Sequence, residues 1–566
     1  MDFTQIVAKK INHVFEDTFE QQHLEKVIEQ PKDLSKGDYA FPAFILAKHF
    51  HQAPQVIANK IVSGIDHSDF AKIEANGPYV NFFIQRSQFA DQLLKDIVST
   101  AHFGQNQDGI DQNVVIDLSS PNIAKPMSMG HLRSTVIGEA ISKIAQANGY
   151  HTIKINFLGD WGTQFGLMIA AYKRWGDDDL INADPVNELV KLYVKINHEA
   201  ESNPDLKDEG RAWFKKLEDG DQQATELWNW FKTVSLKEFQ KVYDRLGVTF
   251  DSMDGEAFYN DKMAPVVKMF ADKGLLTKSQ GAEIIDLPKL LPDENYPIAM
   301  IKRSDGATQY ITRDLASAIY RHDHYQFAKS LYVVGAEQKD HFDQMKAILR
   351  LAGDDWADDI EHIGFGLITM NGKKMSTRKG NVVALADVLD AAKRLAAKQI
   401  SEKNPDLKNA DQVAEEVGAG AVVFNDLQKD RHLAIDFNLE EIVQFEGDTG
   451  PYVQYTHARA MSILRKSKQT VDSQTGLILE DDEAWMIVSK LASYPGIVRR
   501  AWQLREPSVV AKYLLLLSRD FNSYYAHTKI LVDDSGLNSR LYLVTALSKI
   551  LEDGLNLLGV YAPDQM

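Results

Sequence analysis

The alternation between short apolar runs and amphipathic helical patterns, which begins at residue 114, constrains the fold of this chain most strongly. Residues 114–118 and 151–158 are apolar runs of strand length. Between them, after a polar loop, apolar residues recur near every 3.6 positions, which indicates a helix ending near Asn148. A strand, a helix and a second strand in this order predict a parallel sheet covered by helices, because parallel strands need such a crossover connection.

The remaining segments extend this pattern to a multidomain α/β protein. At about 100–200 residues per domain, 566 residues correspond to roughly three or four domains. Hydrophobic patterning also predicts a helix over 41–50 and one strand over 362–370. The first predicted domain is an N-terminal α/β domain at residues 1–108. The second is a Rossmann-like parallel-sheet domain at residues 109–395, with a helical insertion at about 184–254. A helical connector at residues 396–448 and an all-α helix bundle at residues 449–566 follow.

Composition and charge exclude several kinds of protein. The chain has no cysteine, which excludes disulfides, cysteine nucleophiles and zinc sites built on thiolates. Its net charge of −17 argues against a protein that coats DNA, although a local basic groove remains compatible with it. No apolar run approaches the ~18 residues of a membrane span, and the N-terminal residues have no apolar segment of a signal peptide. We therefore predict a cytoplasmic protein without a DNA or membrane partner and without a metal site of its own.

The first candidate site is the loop between the first predicted strand and helix, SSPNIAKPMSMGHLRST at 119–135. A helix N-terminus offers free N–H groups and a positive dipole end to an anion such as phosphate. Gly130 allows a flat ligand to approach the backbone, His131 can reach a phosphate oxygen, and Lys125 adds a positive charge. On spacing alone, an ordinary strand–turn–helix with a polar loop explains this segment about equally well.

The second candidate site is the basic loop NGKKMSTRKGN at 371–381. Its cationic side chains could cover a polyphosphate and stabilise charge on a departing phosphate group. Taken alone, a solvated basic hairpin tip explains the loop better. The four cationic residues are Lys373, Lys374, Arg378 and Lys379.

Together the two loops resemble the HIGH and KMSKS signatures of class I aminoacyl-tRNA synthetases, and the flanking blocks resemble the arginyl-tRNA synthetase family. The resemblance implies ligation of arginine to tRNA(Arg), with ATP converted to AMP and pyrophosphate through an arginyl-adenylate. It extends from residue 37 to the C-terminus. The blocks that carry it are NFLGDWGTQFG, YITRDLA, GAEQKDHFDQ and GDTGPYVQYTHAR, at residues 156–166, 310–316, 335–344 and 447–459.

The two signatures depart from the family pattern at single positions. Ser128 stands where the family often carries a histidine, and the second loop lacks the usual second lysine. The resemblance implies that Lys125 supplies the charge of that lysine, so that His131, Lys374 and Lys125 act in catalysis. The implied ATP-binding residues are Ser128, Gly130, His131, Lys374, Met375, Ser376 and Arg378.

The resemblance also implies an acidic pocket for arginine. A guanidinium has five donors in a planar fork, which one carboxylate can accept in a bidentate pair. Asp314 is the implied acceptor, with Tyr310 beside it and Glu256 as a second acid; from spacing alone, Asp314 would be interpreted as a residue of a helix start. The implied arginine-binding residues are Asn122, Asp117, Tyr310, Asp314, Gln338 and Glu256.

Basic and aromatic residues alternate in the last predicted domain, a combination that binds phosphates and stacks unpaired bases. By composition alone a solvated helical face would explain them, whereas the resemblance implies anticodon binding there and contact of the N-terminal domain with the tRNA elbow. The implied tRNA-binding residues are Tyr452, Tyr455, Arg459, Arg465 and Lys466. The expected partners are tRNA(Arg), L-arginine and ATP with Mg²⁺, bound to a monomer.

Two other functions remain compatible with parts of the sequence. A tRNA-binding relative that has lost catalysis would tolerate Ser128 in the first signature. A nucleotidyltransferase could share the sheet and the first signature with an unrelated acceptor, but the block at 450–459 and the helical C-terminus argue against it.

Overall fold

The structure is a computed structural model that describes most of the chain. The described residues are 3–31, 33–304, 306, 308–370, 373–374, 383–467, 469, 471–472, 475–479 and 481–566.

The N-terminal domain packs helices on a small antiparallel sheet of order β1-β3-β2. The helix expected over 41–50 is correct only from Ala43, where a 3-10 turn (Ala43–Leu46) leads into a short helix. Phe41 lies in a strand whose residues are all buried, and periodicity does not separate a fully buried strand from a buried helix. The elements are α1 (Phe3–Val14), α2 (Gln21–Glu25), β1 (Tyr39–Pro42), α3 (Ala47–Phe50), α4 (Pro54–Gly64), β2 (Phe70–Asn76), β3 (Tyr79–Ile84) and α5 (Arg86–Ser99).

The central domain follows, and its helices and strands alternate as the sequence predicts. Its elements are β4 (Asn113–Ser119), α6 (Met129–Ala147), β5 (His151–Asn156), α7 (Thr163–Trp175), α8 (Asp178–Ala183), α9 (Pro185–Ser202), α10 (Asp205–Glu218), α11 (Gln222–Leu246), α12 (Asn260–Asp272), β6 (Thr277–Ser279), β7 (Ala282–Ile285), α13 (Leu287–Leu290), β8 (Ala299–Lys302), α14 (Tyr310–Tyr325), β9 (Phe327–Gly335), α15 (Lys339–Leu351), β10 (Ile360–Phe365), β11 (Ile368–Met370) and β12 (Lys373–Lys374).

A parallel sheet of order β10-β9-β4-β5 forms the core of this domain. β4 lies inside the sheet and is buried on both faces, which explains its nearly continuous apolar sequence. Because all four strands are parallel, their carboxyl ends share one edge, and α6 begins at that edge directly after β4. Ligands of open α/β sheets bind at this edge.

The strand expected over 362–370 is two strands in different sheets. β10 ends at Phe365 in the parallel sheet, and β11 begins at Ile368 in a separate small sheet. The chain turns at Gly366, where an added Cβ would lie 2.5 Å from the carbonyl oxygen of Leu433, so only glycine permits this close approach. A further antiparallel sheet of β6, β7 and β8 is absent from the sequence predictions.

The rest of the chain is almost entirely helical, which confirms the predicted all-α bundle. Arg86 and Lys549 join the N-terminal domain to this bundle through contacts with Asp482 and with the carbonyl oxygen of Val98. None of the described helices has the length and apolar character needed to cross a membrane. The elements are α16 (Leu385–Lys403), α17 (Ala410–Leu427), β13 (Ile435–Asp436), α18 (Leu439–Ile442), α19 (Gly450–Ser467), α20 (Asp482–Leu504), α21 (Ser508–His527) and α22 (Leu537–Leu557).

Candidate active site

The first turn of α6 presents a histidine of defined tautomer. The backbone N–H of Ser128 donates to Nδ1 of His131 at 3.0 Å, and the Ser128 hydroxyl lies 3.1 Å from the same nitrogen. Because Nδ1 accepts the backbone hydrogen bond, the proton of the neutral ring lies on Nε2. Ser128 therefore orients His131 so that an N–H donor is available to a ligand.

The surroundings of His131 keep its ring neutral. Burial, followed by the positive charge of Lys125, lowers the pKa of His131 to about 4. The Lys125 side chain is exposed, and its ammonium lies 5.6 Å from the centre of the Tyr193 ring. The structure thus brings the two predicted residues together, His131 as a neutral donor and Lys125 as the cation.

Gly130 borders open space beside this turn. Among the described atoms, an added Cβ would meet only the Ser128 hydroxyl, at 3.5 Å. The fold does not require glycine there, so room is left for a ligand against the backbone.

Helix α11 of the helical insertion fixes the loop that precedes α6. The hydroxyl of Ser235 accepts the backbone N–H of Ala124 at 3.2 Å. The Tyr243 hydroxyl lies 2.9 Å from the Ser119 hydroxyl and accepts the Asn156 amide at 3.0 Å, which joins the ends of β4 and β5. The insertion therefore positions the first signature, a role that the sequence analysis missed.

The ends of the basic loop also meet this region. β12 pairs with β11, with Lys374 opposite Thr369, and on the other side of the loop the Leu385 N–H donates to the carbonyl of Met127 at 2.8 Å. Leu385, which follows the basic loop, thereby lies against the segment that leads into α6. Of Lys374 only the strand position is described, and Met375, Ser376 and Arg378 lie outside the described residues.

Four of the predicted arginine-binding residues form one acidic cluster, which we call the acidic pocket. The negative charge of Asp314 is the main reason why the pKa of Tyr310 is raised, and burial, Glu256 and Asp117 contribute further. The pKa values of Glu256 and Asp117 are raised mainly by burial, and Asp314 adds to both shifts. The four groups are therefore electrostatic neighbours, as the sequence analysis expects.

Each carboxylate of this pocket has a partner in the protein. Asp117 pairs with the fully buried Arg321 at 2.9 Å, and Glu256 lies 3.4 Å from Arg313. Asp314 uses only Oδ2, which lies 2.7 Å from Nε2 of His341. Three carboxylates and two guanidinium groups together carry a formal charge of −1. Such a pocket favours a cationic ligand.

The two amides predicted to bind arginine lie at the same sheet edge. Asn122 follows β4, forms a bridge with Gly159, and is partly buried. Gln338 ends the 3-10 turn Ala336–Gln338 that follows β9, and it is partly buried as well. Both residues follow strands of the parallel sheet whose carboxyl ends share this edge.

Four of the five predicted tRNA-binding residues line one groove of about 1030 Å³ in the helical bundle, formed by α19, α21 and the chain terminus. Arg459 stacks on two tyrosine rings, 4.9 Å from the centre of Tyr455 and 5.2 Å from the centre of Tyr525. Tyr452 lies beside the groove, and its hydroxyl accepts a hydrogen bond from Asn522 at 3.0 Å. The four lining residues are Tyr455, Arg459, Arg465 and Lys466.

The groove also contains residues that the sequence analysis missed. Tyr525 and Lys529 line it from the end of α21 and the segment that follows, some 60–70 positions after the predicted residues. No local sequence signal connects them with α19, because the contact depends on how the helices pack.

Three family models match consecutive regions of the chain. Residues 93–439 match the family model described as the catalytic domain of class I tRNA synthetases (R), residues 453–566 match the DALR anticodon binding domain, and residues 2–84 match the arginyl tRNA synthetase N terminal domain. The chain is 75% identical over 566 residues to the arginine–tRNA ligase of Oenococcus oeni, and 59% identical over 567 aligned positions to that of Leuconostoc mesenteroides. Both alignments cover 100% of each chain.

Solved structures show the same fold. Thermus thermophilus arginyl-tRNA synthetase superimposes with a TM-score of 0.82 at 24% identity and covers 99% of each chain. Plasmodium falciparum arginyl-tRNA synthetase gives a TM-score of 0.79 at 23% identity, over 100% of this chain and 98% of the other. With family models and close relatives matching over essentially its whole length, the chain belongs to the arginyl-tRNA synthetase family of class I aminoacyl-tRNA synthetases.

Proposed function

We propose that this chain ligates L-arginine to tRNA(Arg) in two steps at the carboxyl edge of its parallel sheet. The observation that carries the proposal is that the acidic pocket, which includes Asp117 of β4, and the start of α6 lie at the same edge of the parallel sheet, where His131 and Lys125 offer an N–H donor and a cation. The pocket has the charge for a guanidinium, and the helix start has the donors for a phosphate.

The first step joins the arginine carboxylate to the α-phosphate of ATP and releases pyrophosphate. The attacking carboxylate is already ionised at neutral pH, so no general base is needed, and catalysis consists of positioning and charge stabilisation. In our proposal Nε2–H of His131 donates to a phosphate oxygen, and Lys125 together with Lys374 stabilises the charge on the leaving pyrophosphate. Ser128 acts through His131 by holding its Nδ1.

Arginine lies in the pocket between α14 and the end of β9. Asp314 accepts the guanidinium, Tyr310 packs beside it, and Glu256 contributes negative charge. Asn122 and Gln338 suit the α-amino group. Asp117 is buried and already paired with Arg321, so we assign it an indirect role in the electrostatic balance of the pocket.

Mg²⁺ enters this scheme with ATP. The groups at the start of α6 are N–H donors and an ammonium, which bind anions, so the oxygen ligands that Mg²⁺ prefers come from the phosphates. When bound there, Mg²⁺ neutralises charge on the phosphate oxygens. The protein residues then orient the nucleotide through the donors described above.

In the second step a ribose hydroxyl of the terminal tRNA adenosine attacks the carbonyl carbon of the adenylate, which forms the ester to arginine, breaks the acyl–phosphate bond and releases AMP and a proton. The basic groove of the C-terminal bundle contributes to tRNA binding, with phosphates near Arg465 and Lys466 and unpaired bases on the aromatic side chains. The local charge of the groove permits this in a chain with a net charge of −17. We propose that the enzyme acts as a cytoplasmic monomer.

Aminoacylation of total tRNA with each of the twenty amino acids in turn tests this proposal, with ATP–pyrophosphate exchange measured in the presence of the same tRNA. We expect arginine alone to be transferred and arginine alone to support exchange. Binding of tRNA without charging by any amino acid would favour the alternative of a tRNA-binding relative that has lost catalysis. Charging with another amino acid would contradict the assignment of the acidic pocket.

A further inference from the structure

His341 contacts the carboxylate that we assign to the guanidinium of arginine. Its Nε2 lies 2.7 Å from Oδ2 of Asp314, and the two side chains are 18% and 13% exposed. The residues come from different elements, Asp314 from the second turn of α14 and His341 from the first turn of α15. The contact therefore fixes the relative position of two helices at the mouth of the pocket.

The chemistry of the pair determines its hydrogen bond. An ionised carboxylate only accepts, so the proton between the two groups belongs to Nε2 of His341. Within the described residues, Oδ1 of Asp314 has no hydrogen-bond partner, whereas Oδ2 is occupied. The histidine thus holds one oxygen, and the other has no hydrogen-bond partner in the described part of the chain.

The aromatic rings around His341 and Asp314 further restrict the conformation of the two side chains. The Tyr310 ring lies 5.4 Å from the ring of His341, and the Phe342 ring packs edge-on against it at 5.5 Å. Gln338, the amide proposed for the α-amino group, lies three residues before His341. One short segment therefore carries both the amide and the group that orients Asp314.

Resting on the function proposed above, we infer that His341 is a positioning residue that determines specificity for arginine. It donates from Nε2 to Asp314, locks the rotamer of that carboxylate, and presents Oδ1 to the guanidinium. A carboxylate that could rotate freely would have to be ordered by each incoming substrate, which weakens binding of arginine.

Two substitutions of nearly equal size separate the hydrogen bond from simple packing. In His341→Gln the side-chain amide nitrogen can occupy the place of Nε2 and still donate to Asp314. In His341→Asn the shorter amide nitrogen lies nearer the position of Nδ1 and does not reach. Both residues are polar and smaller than histidine, and the site is partly exposed, so both variants are expected to fold, which thermal unfolding checks.

The test measures KM for arginine, ATP and tRNA, together with inhibition by citrulline, the neutral analogue of arginine. We expect His341→Asn to raise the KM for arginine about tenfold and to lower the preference for arginine over citrulline by a similar factor. The KM values for ATP and tRNA should change less than about twofold, and His341→Gln should restore most of the arginine affinity.

Two outcomes would overturn the inference. The first is an unchanged KM for arginine in His341→Asn. The second is an equal loss in both variants, which would assign the effect to the shape of the ring. Neither outcome affects the proposed function, because charging of tRNA with arginine by the wild-type chain tests that separately.

Discussion

The arginine pocket and the groove of the C-terminal bundle hold charge in opposite ways. In the pocket Asp117 and Asp314 are 7% and 9% exposed, and each has a partner at a fixed distance. In the groove Arg465 and Lys466 are exposed, and Arg465 donates a hydrogen bond to the carbonyl of Asp564. The pocket therefore selects its ligand by geometry, and the groove attracts its ligand by the sum of its charges.

This difference sets how each region responds to change. Buried charges are weakly screened and costly to leave unpaired, so one substitution has a large effect. Exposed charges are screened beyond a Debye length of about 8 Å at physiological ionic strength, so their contributions are small and depend on salt. The predictions below test this contrast, beginning with the largest effect.

The largest effect is expected for Arg133, a buried cation outside both regions. Its guanidinium contacts Asp426 at 3.1 Å, and it donates to the carbonyls of Gly366, Leu433 and Arg431 at 2.7, 2.9 and 3.3 Å. Arg133→Leu removes the cation beside Asp426 and the donor to the carbonyls of Gly366 and Leu433, whereas the Arg431 carbonyl still accepts from the Gly366 N–H. We expect it to lower the free energy of unfolding by about 3–5 kcal/mol, measured by urea denaturation.

The exposed Arg500 provides the control for this substitution. Arg500→Leu removes the same charge and should change the free energy of unfolding by no more than about 0.5 kcal/mol. Equal effects of the two substitutions would show that burial does not govern the cost of losing a charge in this protein.

Asp314→Asn is expected to have the next largest effect. The substitution keeps the shape of the side chain and removes its charge. The interaction of this side chain with the guanidinium is thereby weakened by about 1.5–3 kcal/mol. The KM for arginine should therefore rise roughly ten- to a hundredfold in aminoacylation assays, while the KM for ATP stays nearly constant. A similar loss for both substrates would indicate misfolding or a helix-capping role instead.

His131→Ala should reduce arginine-dependent ATP–pyrophosphate exchange by at least about tenfold, or ~1.4 kcal/mol, since one donor to the phosphate is lost. The KM for arginine should change little. His198→Ala, which alters a histidine whose side chain is 82% exposed, is the control and should leave exchange unchanged. An unchanged exchange rate in the His131 variant would contradict its role.

The pH dependence of exchange provides a second test of His131. Its pKa in the folded protein is lowered to about 4 from an ordinary value near 6.5. The ring therefore stays neutral from pH 8 down to about pH 5. In the pH profile of exchange we expect no decrease near pH 6.5 that depends on His131. The stability that the neutral ring contributes is present above pH 6.5 and is lost as the pH falls towards 4.

The smallest effect at physiological salt is expected in the groove. Arg465→Glu combined with Lys466→Glu should raise the KM for tRNA only a few-fold and reduce its dependence on salt, because fewer counterions are released. Lys268→Glu with Lys278→Glu, which reverses two exposed charges elsewhere, is the control and should have no effect on tRNA. Normal charging by the folded groove variant across a salt series would show that these two residues are not part of the tRNA-binding surface.

Much of the fold follows from sequence pattern, and two segments differ from their predictions for different reasons. The strand–helix–strand unit from Asn113 to Asn156 has the predicted order because its periodicities are local. The segment at 41–50 was predicted wrongly at its start, since periodicity does not separate a fully buried strand from a buried helix, and the segment at 362–370 was predicted without its interior break. Gly366 divides the segment at 362–370, and only its contact with Leu433 identifies it as the break.

The candidate site, like the fold, can be predicted from local sequence only in part. Among the described residues, the first signature and the blocks at 156–166 and 335–344 follow strands of the parallel sheet, whose carboxyl ends share one edge. Their partners come from elsewhere: Arg321 lies 204 positions after Asp117, and Ser235 lies 111 positions after Ala124. Such contacts depend on tertiary packing and leave no mark in local sequence. His341 is different, since it lies inside a motif, and only its contact with Asp314 gives it a role.

One crossed measurement tests most directly whether the pocket selects the amino acid and the groove contributes to holding the tRNA. The KM values for arginine and for tRNA are determined for Asp314→Asn and for the Arg465→Glu, Lys466→Glu variant, each at low and at high salt. We predict that the first variant raises only the KM for arginine, about equally at both salt concentrations, and that the second raises only the KM for tRNA, mainly at low salt. A rise in the KM for tRNA in the Asp314 variant, or in the KM for arginine in the groove variant, would contradict this division of labour.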